Sequence, residues 1–207
     1  MIISFTPEVI EENRKKFILE LELTERKNMD KFIGWLNSSD FFTAPASVRR
    51  HNSPRGGLCE HSLNVLFTAR QLNKSFEFGI EDNNIVLPAL LHDLCKVGFY
   101  KEKEVWDKDW KDKTNEWRKT KEWSVDDDLP LGHGEKSAIM AMRYINLTDE
   151  EIASIRWHLG AFEAGIHFFY PSGTAFKSAQ EKYPLVKLIM IADMLAEFKE
   201  SCKKEEK

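Results

Sequence analysis

A chain of 207 residues with 42% hydrophobic and 31% charged side chains has the material for one packed domain and is not a disordered composition. A formal net charge of −4 excludes the broad basic surplus with which proteins grip long nucleic acids, and favours a small phosphate-bearing partner. Three cysteines without paired spacing, no uncharged apolar run near ~18 residues and no basic-then-apolar start argue against a disulfide framework, a membrane span or a signal peptide; the expected setting is a reducing cytoplasm.

Almost every segment reads as helix. Thr6 can cap a first helix with Pro7 at its first position, and Val9, Phe17 and Leu21 form its apolar stripe. A second helix from Met29 to Leu36 sets Met29, Phe32, Ile33 and Leu36 on one face before Ser38, Ser39 and Asp40 break it. Residues 44–57, rich in proline and glycine, read as a loop ending in a sharp bend. His61 opens the next helix, with Val65 and Ala69 on its face. Asp82, Asn83 and Asn84 are placed to cap a helix that carries His92 and Asp93. Thr148 and Glu151 have capping-box spacing, opening a helix that ends with His158. Pro184 begins the last helix, which contains Asp193 and frays after Lys199 into a Lys/Glu-rich tail.

One stretch breaks the pattern. Residues 99–125 hold four of the six tryptophans (Trp106, Trp110, Trp117 and Trp123) around a turn-rich tip at 111–115, which predicts a β-hairpin or irregular insertion. Its tryptophans either pack onto the helical body, the favoured reading, or form an aromatic lid that stacks a nucleobase, with Trp106 as the substrate contact.

The chemistry concentrates at His92-Asp93, set in the apolar run Ile85-Val-Leu-Pro-Ala-Leu-Leu. An imidazole and a carboxylate in such a segment cost free energy unless a polar partner satisfies both, and a divalent metal is the commonest one. Asp193, between Ile191 and Met194, poses the same problem. The competing reading for each histidine is a hydrogen-bonded core residue; for Asp193 it is an N-cap or a buried salt bridge. His51 and His167 fall outside the pattern and are assigned no role.

The order His61, His92-Asp93, His133, His158, Asp193 resembles the HD superfamily of metal-dependent phosphohydrolases. Gly56-Gly57-Leu58-Cys59-Glu60-His61-Ser62 is similar to the approach to the first histidine in that family, and Leu90-Leu91-His92-Asp93-Leu94-Cys95-Lys96 to its central motif. Gly132-His133-Gly134-Glu135 and Ile191-Ala192-Asp193 fill the later slots, so the likeness runs from about Gly56 to Glu197. It implies an all-α HD-domain bundle with a metal site in its core, laid out as an N-terminal helical extension (1–55), an HD core (56–199) and a charged tail (200–207) in a single domain.

The resemblance also implies roles. His61, His92, Asp93 and Asp193 would hold one ion, and His133 and His158 with a shared Asp93 a second; alternatively those two histidines contact substrate or support the ligands. Mixed imidazole and carboxylate donors suit Mn²⁺, Fe²⁺, Co²⁺ or Ni²⁺ more than Ca²⁺, and Mg²⁺ stays among the candidates for the one or two ions. Asp93 and Lys96 are the candidate catalytic residues. Lys96 lies four residues after His92, and on a continuous helix it would share its face and meet the scissile phosphate; the rival reading is a salt bridge to Asp93. Arg49, Arg50 and Arg55 could hold distal phosphates.

The expected function is hydrolysis of a phosphate ester or anhydride of a nucleotide or related small molecule. A second reading is a 3′→5′ exonuclease or phosphodiesterase on short oligonucleotides, since Trp157-His158-Leu159-Gly160-Ala161-Phe162-Glu163 is similar to HD domains attached to exoribonucleases. A third is a sensor that binds nucleotide or metal without turnover, which the intact ligand set disfavours. Cyclic dinucleotide cleavage lacks its Gly-Tyr-Pro signature. No membrane partner is expected, and nothing in the pattern speaks to oligomeric state.

Overall fold

A computed structural model describes residues 4–48, 54–108, 117–160 and 171–202. Arg49, Arg50, His51, Trp110, the 111–115 tip, the 161–163 end of the Trp157 motif, and His167 lie outside them. Eight α-helices, one antiparallel hairpin and a 3₁₀ turn are found among the described residues: α1 (Pro7–Glu22), α2 (Met29–Ser38), α3 (Gly57–Ser75), α4 (Asp82–Leu91), the 3₁₀ turn Leu94–Lys96, β1 (Tyr100–Lys108), β2 (Trp117–Val125), α5 (His133–Met142), α6 (Asp149–Arg156), α7 (Pro171–Lys182) and α8 (Pro184–Cys202). The all-α expectation with a hairpin insertion holds.

The centre of the bundle is α4, where every residue from Ile85 to Leu91 is buried. A helix that is apolar all round has no solvent face, so it needs neighbours on every side. It contacts α3, α6, α8, α1 and α5, while α3 and α8 also pack closely on each other. Phe17 and Leu21 of α1 and Phe32 and Leu36 of α2 belong to the same buried cluster as the α4 residues, so the N-terminal helices share one core with the rest.

Local signals explain most boundaries. Thr6 accepts a hydrogen bond from the Val9 amide and Pro7 follows it, as expected. The stripe on α1 differs from the sequence reading. Val9 is exposed and Asn13 takes the buried position, donating to Glu60 at 2.5 Å. Gly56 adopts φ +84° before α3, and a Cβ there would stand 2.8 Å from Ile10 Cγ1, so the predicted bend needs glycine twice over. Gly134 lets α5 approach α6 closely: a Cβ would lie 2.2 Å from the Arg156 carbonyl oxygen. The Thr148–Glu151 capping box is formed as predicted.

Two helices end differently from expectation. The helix of the central motif stops at Leu91, one turn after Pro88, so His92 is its C-cap and Asp93 lies between helix and 3₁₀ turn. At the other end of the chain, α8 continues through Cys202 rather than fraying after Lys199.

The hairpin pairs in register from Tyr100 with Val125 to Lys108 with Trp117. Its tryptophans correct the packing account: Trp106 and Trp117 are about three-fifths exposed. Trp123 is partly buried and carries the Arg55 guanidinium over its ring at 5.4 Å. Among the described residues, no helix is long and apolar enough to cross a membrane.

Candidate metal centre

His61 comes from the first turns of α3, His92 and Asp93 from the break after α4, His133 from the first residue of α5, His158 from just beyond α6, and Asp193 from the middle of α8. The other five predicted ligand residues gather around Asp93 and its histidines. His133 Nε2 lies 2.7 Å from Asp93 Oδ1, and His158 Nε2 lies 3.8 Å from the same oxygen. On the other side, His92 Nε2 and His61 Nε2 are 3.4 and 3.8 Å from Asp93 Oδ2. Asp193 Oδ1 is 3.0 Å from His61 Nε2 and 3.8 Å from His92 Nε2.

The ends of helices orient two of the rings. The last carbonyls of a helix lack intrahelical donors. His92 follows α4 and donates Nδ1–H to the Ala89 carbonyl at 2.9 Å; His158 follows α6 and donates to Ile155 at 2.7 Å. With Nδ1 carrying the proton, each Nε2 presents a lone pair to the centre. Had the α4 helix continued through Asp93, the Ala89 carbonyl would have been consumed by the backbone.

His61 is held differently. Its Nδ1 faces the carboxylate of Glu200, with oxygens at 3.1 and 3.2 Å. Glu200 is buried, and the sequence reading placed it in the tail. The missed signal was periodicity: Glu200 follows Asp193 by seven residues, two helical turns, and so returns to the same face of α8.

The electrostatics describe a site made for positive charge. Burial opposes protonation of His61, but the bonds to Asp193 and Glu200 outweigh it and raise its pKa to about 10. Burial likewise opposes protonation of His133, and the Cys95 thiol and Asp93 carboxylate reverse the balance, again to about 10. His158 goes the other way, lowered to about 3 by burial and by the neighbouring His92. Burial pushes against ionisation of Asp93 and Asp193, yet Lys96 and His92 hold Asp93 well below the carboxylate range and His61 does so for Asp193.

These residues fit a divalent ion. Four atoms about 2.1 Å from one centre stand about 3.4 Å apart in a tetrahedron and about 3.0 Å apart when cis in an octahedron. The His61–His92, His61–Asp93, His92–Asp93, His61–Asp193 and His92–Asp193 separations span 3.0 to 3.8 Å. His61 Nε2 and His92 Nε2 face each other at 3.3 Å, an arrangement of two acceptors that a cation or a proton must separate. His158 Nε2 is buried with no hydrogen-bond partner among the described residues, a costly state for a bare polar atom. Two sets of donors, His61, His92 and Asp93, and Asp93, His133 and His158, each come close enough to hold one ion, with Asp93 common to both.

Lys96 lies in the 3₁₀ turn and donates to Asp93 Oδ2 at 2.5 Å. The continuous helix that would have put it on the face of His92 does not exist, so the salt bridge the sequence offered as a rival reading is the contact present. Burial disfavours its charge, and Asp93 more than restores it. Ser137 ties the turn to α5: its hydroxyl accepts from the Cys95 amide at 3.0 Å and donates to the His133 carbonyl at 3.2 Å. Cys59 and Cys95 are both buried; Cys95 departs from the packing role expected of it, since its thiol hydrogen-bonds His133.

Two other proposed substrate contacts belong to the hairpin and its base. Arg55 forms an ion pair with Glu102 at the base of the hairpin. Trp106 pairs with Lys119, six residues along β1 from Tyr100, a run of about 20 Å. Beside the cluster, a cavity of about 380 Å³ is lined by His158, Asp193, Leu159, Met194, Glu197 and Phe198.

The comparisons with known proteins agree with this arrangement. A dihydroneopterin 2′,3′-cyclic phosphate phosphodiesterase of Methanocaldococcus jannaschii is 40% identical over 65 residues, which cover 30% of this chain and 26% of that protein. The matched stretch is thus about a quarter of the relative's length. No solved structure matches significantly. The HD domain family model matches residues 58–197, from the turn before His61 to the turn after Asp193, and the chain belongs to the HD-domain family.

Proposed function

We propose that the protein is a metal-dependent phosphohydrolase that cleaves a phosphate ester of a small, nucleotide-like molecule, with a cyclic phosphodiester as the first substrate to try. The observation that carries this reading is the convergence of four imidazoles on the buried Asp93 carboxylate, with Asp193 against His61 and His158 Nε2 left bare. The HD family match and the phosphodiesterase relative support it. The neighbouring cavity lies within the range of small-molecule sites, and Leu159, Met194 and Phe198 offer it apolar walls beside the polar centre.

Under this proposal His61, His92, Asp93 and Asp193 hold one ion, and Asp93, His133 and His158 a second, with Mn²⁺, Fe²⁺, Co²⁺, Ni²⁺ or Mg²⁺ as candidates. Such an ion lowers the pKa of a bound water and neutralises charge on the phosphoryl oxygens. The chain's residues supply the rest. Lys96 holds Asp93 ionised and places an ammonium beside the reacting phosphate. His133, partly exposed at the rim, is positioned to move a proton at Nε2 if the second ion is absent. Buried walls around His61, His92 and His158 keep bulk water from the polar groups and strengthen their interactions.

The test is a screen of purified protein loaded with Mn²⁺, alongside His92→Ala, against 2′,3′-cyclic nucleotides, dihydroneopterin 2′,3′-cyclic phosphate, nucleoside mono-, di- and triphosphates and short RNA. Metal-dependent turnover of a small ester, lost in His92→Ala, is expected. Turnover of short RNA alone would favour the exonuclease reading. Metal binding with no turnover of any substrate would favour a sensor.

A further inference from the structure

We propose that Glu200 is a positioning residue for the metal centre: it fixes the tautomer and strengthens the donor character of His61, and so sets how tightly the first ion is held. The inference rests on the reading of His61 as a metal ligand. It concerns a residue outside the stretch matched by the family, which ends at 197.

The geometry is specific. Glu200 sits in the last turn of α8 and is only 5% exposed. Both of its oxygens face His61 Nδ1, at 3.1 and 3.2 Å. Asn64, one turn after His61 on α3, donates its side-chain amide to Glu200 Oε1 at 2.7 Å and so holds the carboxylate in place. Among the described residues, His61 and Asn64 are the side-chain hydrogen-bond partners of this buried carboxylate, and no lysine or arginine forms an ion pair with it. A buried carboxylate is expensive, and its retention next to one ring asks for a role beyond packing.

The contrast with the other rings gives that role. His92 and His158 donate Nδ1–H to neutral backbone carbonyls. His61 alone among these three donates to a carboxylate. A carboxylate draws the Nδ1 proton more strongly and leaves more electron density on Nε2, the atom that faces Asp193 and His92. It also excludes the opposite tautomer, in which Nε2 would carry the proton and point N–H at the ion. Because Asp193 and Glu200 lie two turns apart on α8, His61 is clasped at both nitrogens by one helix.

The experiment uses the full chain with Co²⁺ as probe, comparing wild type, Glu200→Gln and Glu200→Ala. Binding is followed by calorimetry and by Co²⁺ visible absorption, and the hydrogen-bonded Nδ1 proton of His61 by proton NMR in metal-free protein. Glu200→Gln keeps shape and an acceptor oxygen while removing charge; it should weaken Co²⁺ at the first site about 10-fold and shift the absorption band. Glu200→Ala should weaken it about 100-fold and abolish the downfield proton; if that variant does not fold, Glu200→Gln carries the test. Wild-type affinity and an unchanged band in a folded Glu200→Gln would overturn the proposal while leaving the metal centre standing. Failure of wild type to bind Co²⁺ at all would overturn both.

Discussion

Replacing Lys96 with methionine separates two roles that the structure combines. The side chain keeps its length and apolar stem, while Asp93 loses a buried ammonium 2.5 Å away. Removing one partner of a buried ion pair costs about 3–5 kcal/mol. Asp93 retains His133 at 2.7 Å, so the lower end applies to metal-free protein, about 3 kcal/mol. At about 2–4 °C per kcal/mol for a chain of this size, the Tm should fall by about 6–12 °C. A bound cation takes over much of the lost compensation, so the metal-loaded protein should lose only about 1 kcal/mol. Linkage then requires the variant to bind metal more tightly by the difference, about 2 kcal/mol or roughly 30-fold. If Lys96 also faces the phosphate, kcat/KM should fall by about 10–100-fold despite the tighter metal. Differential scanning calorimetry with chelator and with Mn²⁺, together with Mn²⁺ titration and steady-state kinetics, reads all three. Equal Tm losses in the two states, or unchanged Mn²⁺ affinity, would refute the counterion argument; unchanged kcat/KM would remove Lys96 from catalysis.

The pH dependence of the metal-free fold has a definite sign. His61 and His133 titrate near 10 in the native state against an ordinary 6.5, so their stabilisation is complete below about 6.5 and is lost as pH rises toward 10. Melts in chelator should therefore fall across that window, and a Tm that stays flat or rises would contradict the site's electrostatics. Ligand deletion should sort the two donor sets: elemental analysis of His92→Ala should show the first ion lost, whereas His133→Ala or His158→Ala should keep it and turn over more slowly. Trp106→Ala and Trp117→Ala in the exposed hairpin should change the unfolding free energy by less than about 0.5 kcal/mol, because neither ring is buried. A rise in KM for nucleotides without a change for a small chromogenic ester would identify them as base contacts, and equal losses on both would not.

What the sequence made legible was whatever depends on local chemistry or on a strong pattern. Thr148 with Glu151, Thr6 with Pro7, and the apolar face of Met29, Phe32 and Leu36 needed only neighbours within a turn or two. The six residues of the cluster were legible because polar groups in apolar runs demand partners and because their order matches a known family. Contacts made across the fold were not. Asn13 joins the buried α1 stripe because Glu60, far along the chain, offers it an acceptor. The helix reading through His92 and Asp93 failed at a competition between backbone and side chain: the imidazole takes the Ala89 carbonyl, and the chain turns to present Asp93 to four other elements. Glu200 was hidden by composition, because a Lys/Glu-rich ending looks solvated whether or not one of its carboxylates turns inward.

The central claim is that Asp93 lies between two sets of metal ligands. Crystals grown with Mn²⁺ and measured at the manganese edge test it directly through the anomalous difference map. The account predicts a peak bounded by His61, His92, Asp93 and Asp193, and a second across Asp93 toward His133 and His158. A single peak would return the last two histidines to substrate contact, and no peak among these residues at saturating Mn²⁺ would contradict the account.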